Sequence, residues 1–571
     1  MYLRKCPNKK TGRVQLDIVQ AYRDKDGKSK HKSVLHIGYL DLAEKQYPDP
    51  IAHFTEVARQ MTAEYKEQTK PVHIEFYLKQ AMEKSYDECK NFGYAALSKI
   101  YHELDIKSFL GNRQRSAKTD FNLNSIFRLL VFSRLLYPAS KKHTYENRNL
   151  FFERSDFSLD DVYRSLGAFA KVKDGLILHL HNRLKAAYGR DTSMVYYDVT
   201  NYYFEIDEQD RLRRKGVSKE HRPDPIVQMG LFMDANGLPI TYGLYPGNML
   251  DKQTFIPMMD RIQDNFQLKR VIYVADKGMT CGDNIGQILM DKNGYVFSYS
   301  IRGANKEFKD FVLDQSGYKF NADHSFKLKS RIYPREITVT TVTGQKRRIA
   351  IDEKQVVFYS EKFAEKARRD RAAALQKAEE LIKSPAKYNR ATAYGAAKYV
   401  KGIVFDPKTG EVLTKAKKSL SLDLDLLREE EKYDGYYGLV TSELDELDQK
   451  VIDIYRGLWK IEESFKVTKS EFETRPVYLT REEHIEAHFL ICFTALLIAR
   501  ILEYVMKSKY SVGTLLDSLK KANCFRLEQN YYVFNYYDQV LADIGQALGL
   551  DFSLKYRCLS DIKKILGEVK K

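Results

Sequence analysis

The chain has 571 residues, too many for one hydrophobic core, so we expect two to four domains. Its formal net charge is +17, from 94 Lys and Arg against 77 Asp and Glu, which favours a polyanionic partner without requiring one. The six cysteines form no CxxC pair and no apolar run has membrane-spanning length. These features argue against a disulfide-rich secreted protein, a zinc site and a membrane protein, and they predict a cytoplasmic location.

The first predicted element is a basic β-hairpin over residues 13–40. Apolar residues alternate from Val14 to Ile18, DKDG (24–27) has turn composition, and an apolar return strand begins at Val34. Its cations are candidates for contacts to DNA phosphates, and the alternative is a solvated basic hairpin. The candidates are Arg13, Arg23, Lys25, Lys28, Lys30 and Lys32.

Residues 50–190 have mainly helical spacing, as in FNLNSIFRLLVFSRLLYPAS (121–140), where Pro138 ends the pattern. From residue 193, short apolar runs alternate with helical segments. We predict strands over 193–200, 226–234, 239–247, 270–276 and 295–301, and helices over 252–266 and 284–292. Antiparallel strands followed by βα units indicate a mixed sheet with helices on its faces.

The sequence after residue 305 predicts an insertion and a return to the sheet. Residues 335–360 alternate like strands and 361–383 have the pattern of a charged helix. We then predict a strand over 436–442, one long helix over 446–470, an apolar helix over 481–506 and a helical tail. His484 and His488 have i,i+4 spacing without a third ligand, which predicts a packed helix face rather than a zinc site.

Two aspartates stand at the ends of predicted strands. Asp198 follows SMVYY and Asp276 follows RVIYVA. Carboxylates at neighbouring strand ends, with a third on a nearby helix, can hold two divalent cations roughly 4 Å apart for in-line phosphoryl transfer. An acid at a strand end more often caps a turn or faces solvent. Asp251 and Asp234 are interpreted in that way, as a helix N-cap and a turn residue.

The stretch YRGLWKIEESFKVTK (455–469) contains the only tryptophan of the chain and two adjacent glutamates. On a continuous helix one face of it would carry Tyr455, Trp459, Glu462, Lys466 and Lys469. This face combines an acid with groups that can bind DNA. The alternative is a solvated face on which Glu462 pairs with Lys466.

At these residues the chain resembles DDE transposases of bacterial insertion sequences. YYDVTNYYFE (196–205) resembles the first-aspartate motif, YVADKGM (273–279) the second, and GLPITYGLYPGNMLDKQT (237–254) the segment between them. The resemblance is to the branch with a ribonuclease H-like core and a β-rich insertion before the final glutamate.

That branch carries Y-(2)-R-(3)-E-(6)-K on its last core helix, and Tyr455, Glu462 and Lys469 match it. Leu458 stands where the arginine belongs, so Arg456 and Arg475 are the candidate replacements.

The resemblance implies an enzyme that cuts DNA at transposon ends and joins the 3′-OH ends to target DNA. Asp198, Asp276 and Glu462 are the implied catalytic residues and the ligands of two Mg²⁺ or Mn²⁺ ions. The implied DNA-binding residues are Tyr455, Arg456, Trp459, Lys466, Lys469 and Arg475. Trp459 is expected either to stack on a base or to pack in the core. The implied partners are double-stranded DNA, from transposon inverted repeats and target, and a second copy of the chain on paired ends, at the nucleoid and without a membrane.

The implied fold class is mixed α/β: a ribonuclease H-like core with a β-rich insertion, preceded by a basic β-hairpin and a helical region. The expected regions are 1–48 (DNA-binding hairpin), 49–190 (helical, DNA-end binding), 191–304 (first part of the core), 305–435 (insertion), 436–510 (second part, with the glutamate helix) and 511–571 (helical tail). RRKGVSKEHR (213–222) is expected either to meet DNA or to form a mobile loop. Two alternatives to a transposase remain: another metal-dependent nuclease on the same core, and a DNA-binding protein that has lost its catalytic activity.

Overall fold

The computed structural model describes residues 1–8, 12–23, 29–68, 73–74, 79, 89–116, 119–220, 222–266, 268–388, 392–405, 412 and 420–571. The chain forms two compact units, Met1–Tyr86 and Asp87–Lys571.

The first unit is a three-stranded antiparallel sheet with two helices. Its elements are β1 (Tyr2–Pro7), β2 (Val14–Arg23), β3 (Ser29–Tyr39), α1 (Leu40–Ala43) and α2 (Pro50–Gln68). β2 lies in the middle and buries Leu16, Ile18 and Val19. The pairing of β2 with β3 confirms the predicted hairpin, although its turn, residues 24–27, lies outside the described residues. β1 was not predicted, because its sequence YLRKCP has no clear alternation of apolar and polar residues.

The second unit begins with a short strand and a helical layer. Its first elements are β4 (Cys89–Asn91), α3 (Tyr94–Glu103), α4 (Ile106–Ser116), α5 (Leu123–Leu136), α6 (Lys141–Glu146) and α7 (Leu159–Tyr188). The Asn122 side chain caps α5 by accepting from Ser125 N, and the helix ends before Pro138, as predicted.

The alternating segment after residue 193 folds in the predicted order. Its elements are β5 (Met194–Tyr203), β6 (Ile226–Asp234), β7 (Pro239–Pro246), α8 (Asp251–Phe266), β8 (Ile272–Ala275), α9 (Gly282–Met290) and β9 (Gly294–Tyr299). In space the strands lie in the order β7-β6-β5-β8-β9. β5, β8 and β9 are parallel, whereas β6 and β7 are antiparallel to their neighbours. This mixed sheet with helices on its faces is the predicted ribonuclease H-like core.

The insertion extends the core sheet. Its elements, with the strand that follows, are α10 (Lys306–Leu313), β10 (Lys319–Phe320), β11 (Phe326–Thr340), β12 (Lys346–Ser360), α11 (Glu361–Lys383), β13 (Val400–Lys401), β14 (Ser421–Leu422), α12 (Leu424–Glu431) and β15 (Tyr436–Thr441). β12 pairs with β15 and β15 with β9, so one sheet of nine strands results. Long strands are confined to residues 326–360, and the rest of the insertion is helical or irregular where described.

The prediction of one long helix over 446–470 is wrong. Two helices form there: α13 (Asp448–Arg456) and α14 (Trp459–Ser470). Hydrogen bonds from Leu458 N to Tyr455 O and from Ile461 N to Leu458 O tighten the chain between them. Gly457 packs against the Tyr196 hydroxyl on β5, where an added Cβ would lie 2.1 Å from the oxygen. This close approach between distant parts of the chain explains the glycine at the interruption.

The apolar helix α15 (Glu482–Val505) runs through the middle of the second unit and packs on α3, α5 and α7. It is long and apolar enough to cross a membrane, and it is almost wholly buried inside the protein. As predicted for its histidines, His488 is packed, and its Nδ1 lies 3.3 Å from Lys141 Nζ.

The prediction of a purely helical C-terminal tail is wrong, because the segment contains both helices and strands. Its elements are α16 (Val512–Lys521), β16 (Asn523–Arg526), β17 (Tyr531–Phe534), α17 (Gln539–Leu548), β18 (Tyr556–Cys558) and α18 (Leu559–Glu568). The three strands form a four-stranded sheet with β4, more than 400 residues earlier in the chain. Strands of three or four residues are too short to show a period in the sequence, which explains the error.

Candidate active site

The strand register brings two predicted acids together. The parallel pairing of β5 with β8 ends at Tyr197 and Ala275. Asp198 and Asp276 are the next residues, so their carboxylates leave neighbouring strands at the same level. Asp198 is not at the end of its strand, because β5 continues to Tyr203 along β6. It lies where the pairing with β8 stops, which leaves room for Asp276 beside it.

Short hydrogen bonds fix one oxygen of each carboxylate. Ser298 Oγ, on β9, and the Lys277 amide both donate to Asp276 Oδ1 at 2.7 Å. The Val199 amide donates to Asp198 Oδ1, also at 2.7 Å. The two acids are thereby held in defined orientations at the edge of the sheet.

Asp198 is a buried acid with two other carboxylates and one lysine nearby. Burial raises its pKa to about 6, the charges of Asp276 and Asp251 add to the shift, and Lys219 opposes it. Asp251 is the first residue of α8 rather than the residue that precedes it, and its own pKa is raised by burial and by Asp276. Sequence reasoning missed this third nearby acid, because its position before a helix is also that of an ordinary cap.

Helix α14 lies over the same face of β5. Tyr196, Asp198 and Tyr202 alternate onto one side of the strand. Tyr196 packs against Gly457, and the Tyr202 hydroxyl lies 2.7 Å from Thr468 Oγ1 on α14. Asp198 therefore faces α14 between these two contacts.

Glu462 is exposed in the first turn of α14. Burial raises the pKa of Tyr437, on β15, and the charges of Asp276 and Glu462 add to the shift, so this tyrosine is near both acids. Its hydroxyl lies 3.0 Å from the Tyr455 hydroxyl. In the part of the chain that the structure describes, no three His, Cys, Asp or Glu side chains are grouped closely enough to hold a metal ion. Glu462 and Asp276 thus have Tyr437 as a common neighbour, and the three acids do not form a preformed trio among the described residues.

The other side chains of the 455–469 stretch have separate environments. Trp459 is 55% exposed, so the expectation that it packs in the core is wrong. Lys466 is exposed, and no ion pair joins it to Glu462, although the structure describes both residues. Glu463 points away and pairs with Arg500 at 3.2 Å. Arg456 is exposed and pairs with Asp453 at 3.2 Å.

Lys469 and Arg475 converge on one carboxylate. Lys469 Nζ donates to Glu220 Oε1 at 2.8 Å, and Arg475 pairs with the same oxygen. Burial lowers the pKa of Lys469, and Glu220 opposes that shift. Leu458, at the position of the signature arginine, is buried.

Three of the cationic candidates of the first unit, Arg13, Lys30 and Lys32, have described side chains. Arg13 stacks on Tyr39 with 3.9 Å to the ring centre and pairs with Asp41 at 2.7 Å. Lys30 and Lys32 are exposed on β3. Lys25, Lys28 and the side chain of Arg23 lie outside the described residues.

Comparison with known families identifies the family of the chain. Residues 212–498, about half of the chain, match the transposase DDE domain, and residues 3–72 match the N-terminal domain of IS1634 family transposases. The chain belongs to the DDE transposase family, enzymes that cleave DNA and transfer its strands, generally with divalent metal ions. The matched span contains Asp276 and Glu462 and begins after Asp198.

Three solved structures give distant matches. A piggyBac transposase synaptic complex with hairpin DNA has 8% identity and a TM-score of 0.33, over 84% of each chain. A Mos1 transposase paired-end complex with the left transposon end has 13% identity and a TM-score of 0.14, over 45% of this chain and 69% of that one. A Mos1 mariner paired-end complex with Mn has 12% identity and a TM-score of 0.14, over 45% and 70%. No curated protein gave a significant sequence match.

Proposed function

We propose that Asp198, Asp276 and Glu462 are the catalytic acids of this transposase and that they bind two divalent cations, Mg²⁺ or Mn²⁺. The observation that carries the proposal is the equal level of Asp198 and Asp276 on parallel strands, with α14 across the same face. Carboxylate oxygens are the ligands that hard divalent cations prefer. A cation would also relieve the repulsion from Asp276 and Asp251, which adds to the effect of burial on the pKa of Asp198.

The chain's own residues orient the reacting groups. Ser298 and two backbone amides hold the Oδ1 atoms of the aspartates, and Tyr437 and Tyr455 close the side of the site next to β15. Divalent cations bound there would activate a water or a DNA 3′-hydroxyl and stabilise the leaving oxygen. Asp251 is near enough to add to the negative charge that attracts them.

The DNA would be held by cations on both units. Lys469 and Arg475 converge on one point near Tyr202 and Tyr203, so Arg475 fits the role of the missing signature arginine better than Arg456, which points to Asp453. Exposed Trp459 and Lys466 lie on the same helix as Glu462 and would meet the strand outside the scissile phosphate. In the first unit, Arg13, Arg23, Lys28, Lys30 and Lys32 would contact phosphates of the transposon end. We expect the working assembly to be a dimer on paired ends at the nucleoid in the cytoplasm.

Two adjacent glutamates give a matched test of the catalytic assignment. We expect Glu462→Gln to abolish Mg²⁺-dependent nicking of a duplex with the element's terminal repeat, while DNA binding is retained. Glu463→Gln removes the same charge one residue away and should cut normally, because Arg500 also pairs with Glu503. Asp198→Asn should be inactive and Asp207→Asn, on an exposed loop, active. Normal cutting by Glu462→Gln or Asp198→Asn would refute the assignment.

A strand-transfer assay separates the transposase from a nuclease on the same core. The protein, cut terminal repeat and supercoiled plasmid are incubated with Mg²⁺, and joined products are sequenced. Joining of 3′-OH ends is expected, and cleavage without joining would favour the nuclease.

A further inference from the structure

The segment of residues 213–220, here called the cover segment, brings its last two residues, Lys219 and Glu220, to the candidate active site. The Arg214 amide donates to Ile226 O at 3.1 Å, and in return the Ile226 amide donates to Arg214 O at 2.8 Å. Asn201 Nδ2, on β5, donates to Val217 O at 3.2 Å. Gly216 packs so closely that an added Cβ would lie 1.9 Å from Gly247 O. These contacts hold the segment against the start of β6, the end of β7 and, through Asn201, the part of β5 that follows Asp198.

Lys219 places a positive charge beside the aspartates. Its ammonium donates to Val199 O, on the residue next to Asp198. Its charge lowers the raised pKa values of both Asp198 and Asp251, and burial remains the larger effect on each. The ammonium thus partly neutralises the same group of acids that would attract a divalent cation.

Glu220, the next residue, places a negative charge between two cations. Its Oε1 accepts from Lys469 Nζ at 2.8 Å and pairs with Arg475, and its Oε2 is buried without a hydrogen-bond partner. A carboxylate between a lysine and an arginine resembles a phosphodiester group, because both carry one negative charge and two acceptor oxygens. The Glu220 carboxylate leaves its Oε2 without a hydrogen-bond donor, whereas a phosphate in contact with solvent would have all its oxygens hydrogen-bonded.

We propose that the cover segment competes with the substrate, Lys219 with a divalent cation for the aspartates and Glu220 with a DNA backbone phosphate for Lys469 and Arg475. This inference rests on the proposed function, because it takes the roles of these partners from it. The positive charge of Lys219 thereby lies beside the aspartates, and the negative charge of the adjacent Glu220 lies between Lys469 and Arg475. DNA must displace both contacts to reach the acids, so the segment limits cutting to DNA that is held firmly enough to move it.

The phosphate half of the proposal is tested by DNA affinity. Fluorescence anisotropy with a labelled terminal-repeat duplex, in EDTA so that nothing is cut, compares the wild type with Glu220→Gln. We expect Glu220→Gln to bind about tenfold more tightly, because the ion pairs of Glu220 with Lys469 and Arg475 no longer have to be broken. Glu208→Gln is the control, since it removes the same charge from an exposed site on the same connection. Equal affinities of the two variants would overturn the phosphate half.

The cation half is tested without DNA. Titration with Mn²⁺, followed by electron paramagnetic resonance, compares Lys219→Met with Lys215→Met, an exposed lysine of the same segment. We expect Lys219→Met to bind Mn²⁺ several-fold more tightly than the wild type and Lys215→Met to be unchanged. Equal binding by both variants would overturn the cation half. Thermal melting of each variant shows that it is folded.

The Asp198→Asn variant distinguishes a failure of the competition from a failure of the proposed function. If Asp198→Asn binds Mn²⁺ as tightly as the wild type, the proposed function itself fails. If Asp198→Asn loses Mn²⁺ while Lys219→Met and Glu220→Gln behave like their controls, only the competition is wrong.

Discussion

Ser298 Oγ donates a hydrogen bond of 2.7 Å to Asp276 Oδ1, across the neighbouring parallel strands β9 and β8. Ser298 is buried, whereas Asp276 is partly exposed. A fixed donor from the sheet therefore orients a carboxylate that can still be reached from solvent. Partners of this kind often matter as much as the acids that they hold.

Ser298→Ala tests this orientation. The variant keeps every carboxylate but removes one of the two donors to Asp276 Oδ1, so its orientation is held less firmly by the Lys277 amide alone. We therefore expect cleavage to fall about 10- to 100-fold and more Mg²⁺ to be needed for half-maximal rate. The measurement is the nicking rate against Mg²⁺ concentration. Ser300→Ala, on the exposed residue two positions later, is the control and should leave both quantities unchanged. A normal Mg²⁺ profile for Ser298→Ala would show that the hydrogen bond has no such role.

Asp198 should make the metal-free protein less stable as the pH rises. Its pKa is about 6 in the folded chain and 3.8 is its ordinary value, so between these values the folded state binds more protons than the unfolded state. Stability therefore falls as the pH rises from 4 to 6, and the loss is complete above pH 6.

Asp198→Asn should remove this loss. In EDTA at pH 7 we expect the variant to be more stable than the wild type by about 1–3 kcal/mol, and the difference should disappear near pH 4. Urea unfolding at several pH values measures it. A pH-independent difference would contradict the raised pKa, and Asp207→Asn controls for the general effect of removing an exposed carboxylate.

The core strands, and the position of Asp198 and Asp276 on them, could be predicted from the sequence for a clear physical reason. The runs before Asp198 and Asp276 are apolar because their strands are buried on both faces, and such runs can be recognised in one dimension. The spacing of Glu462 and Lys469 within one helix could be recognised in the same way.

Features that depend on distant contacts could not be predicted. The interruption at Gly457 exists because Tyr196 packs there, and Lys469 is paired because Glu220, 249 residues earlier, reaches it. The same holds for the pairing of β16 with β4 and for the closeness of Asp251 to Asp198. Local patterns carry no information about such partners.

Gly457→Ala tests the seat of α14. The added Cβ would overlap the Tyr196 ring and hydroxyl, so the buried tyrosine side chain or α14 must shift. We expect a loss of about 1–3 kcal/mol in stability, because overpacked cores respond in that range, together with slower cleavage as Glu462 moves away from the aspartates.

Urea unfolding and a nicking assay measure the two effects of Gly457→Ala. Gly567→Ala, on helix α18, has nothing within 4 Å of the added Cβ. This control should be neutral or slightly stabilising, because alanine favours a helix over glycine. Equal behaviour of the two variants would argue against the close packing of Gly457 on Tyr196.

Lys141 is a buried cation whose removal should alter the pH dependence of stability. Its Nζ lies 3.3 Å from His488 Nδ1, burial lowers its pKa to about 7, and Arg134 adds to the shift. Between pH 7 and the ordinary value of 10.5 the unfolded chain binds more protons, so stability rises with pH there by up to roughly 1.4 kcal/mol per unit. Below pH 7 the full penalty of burying the charge is present.

We expect Lys141→Met to be more stable than the wild type at pH 7, with a gain that shrinks towards pH 9, as measured by urea unfolding. Lys142→Met, on a side chain that is 68% exposed, should show no such trend, and the same trend in both variants would exclude Lys141 as its source.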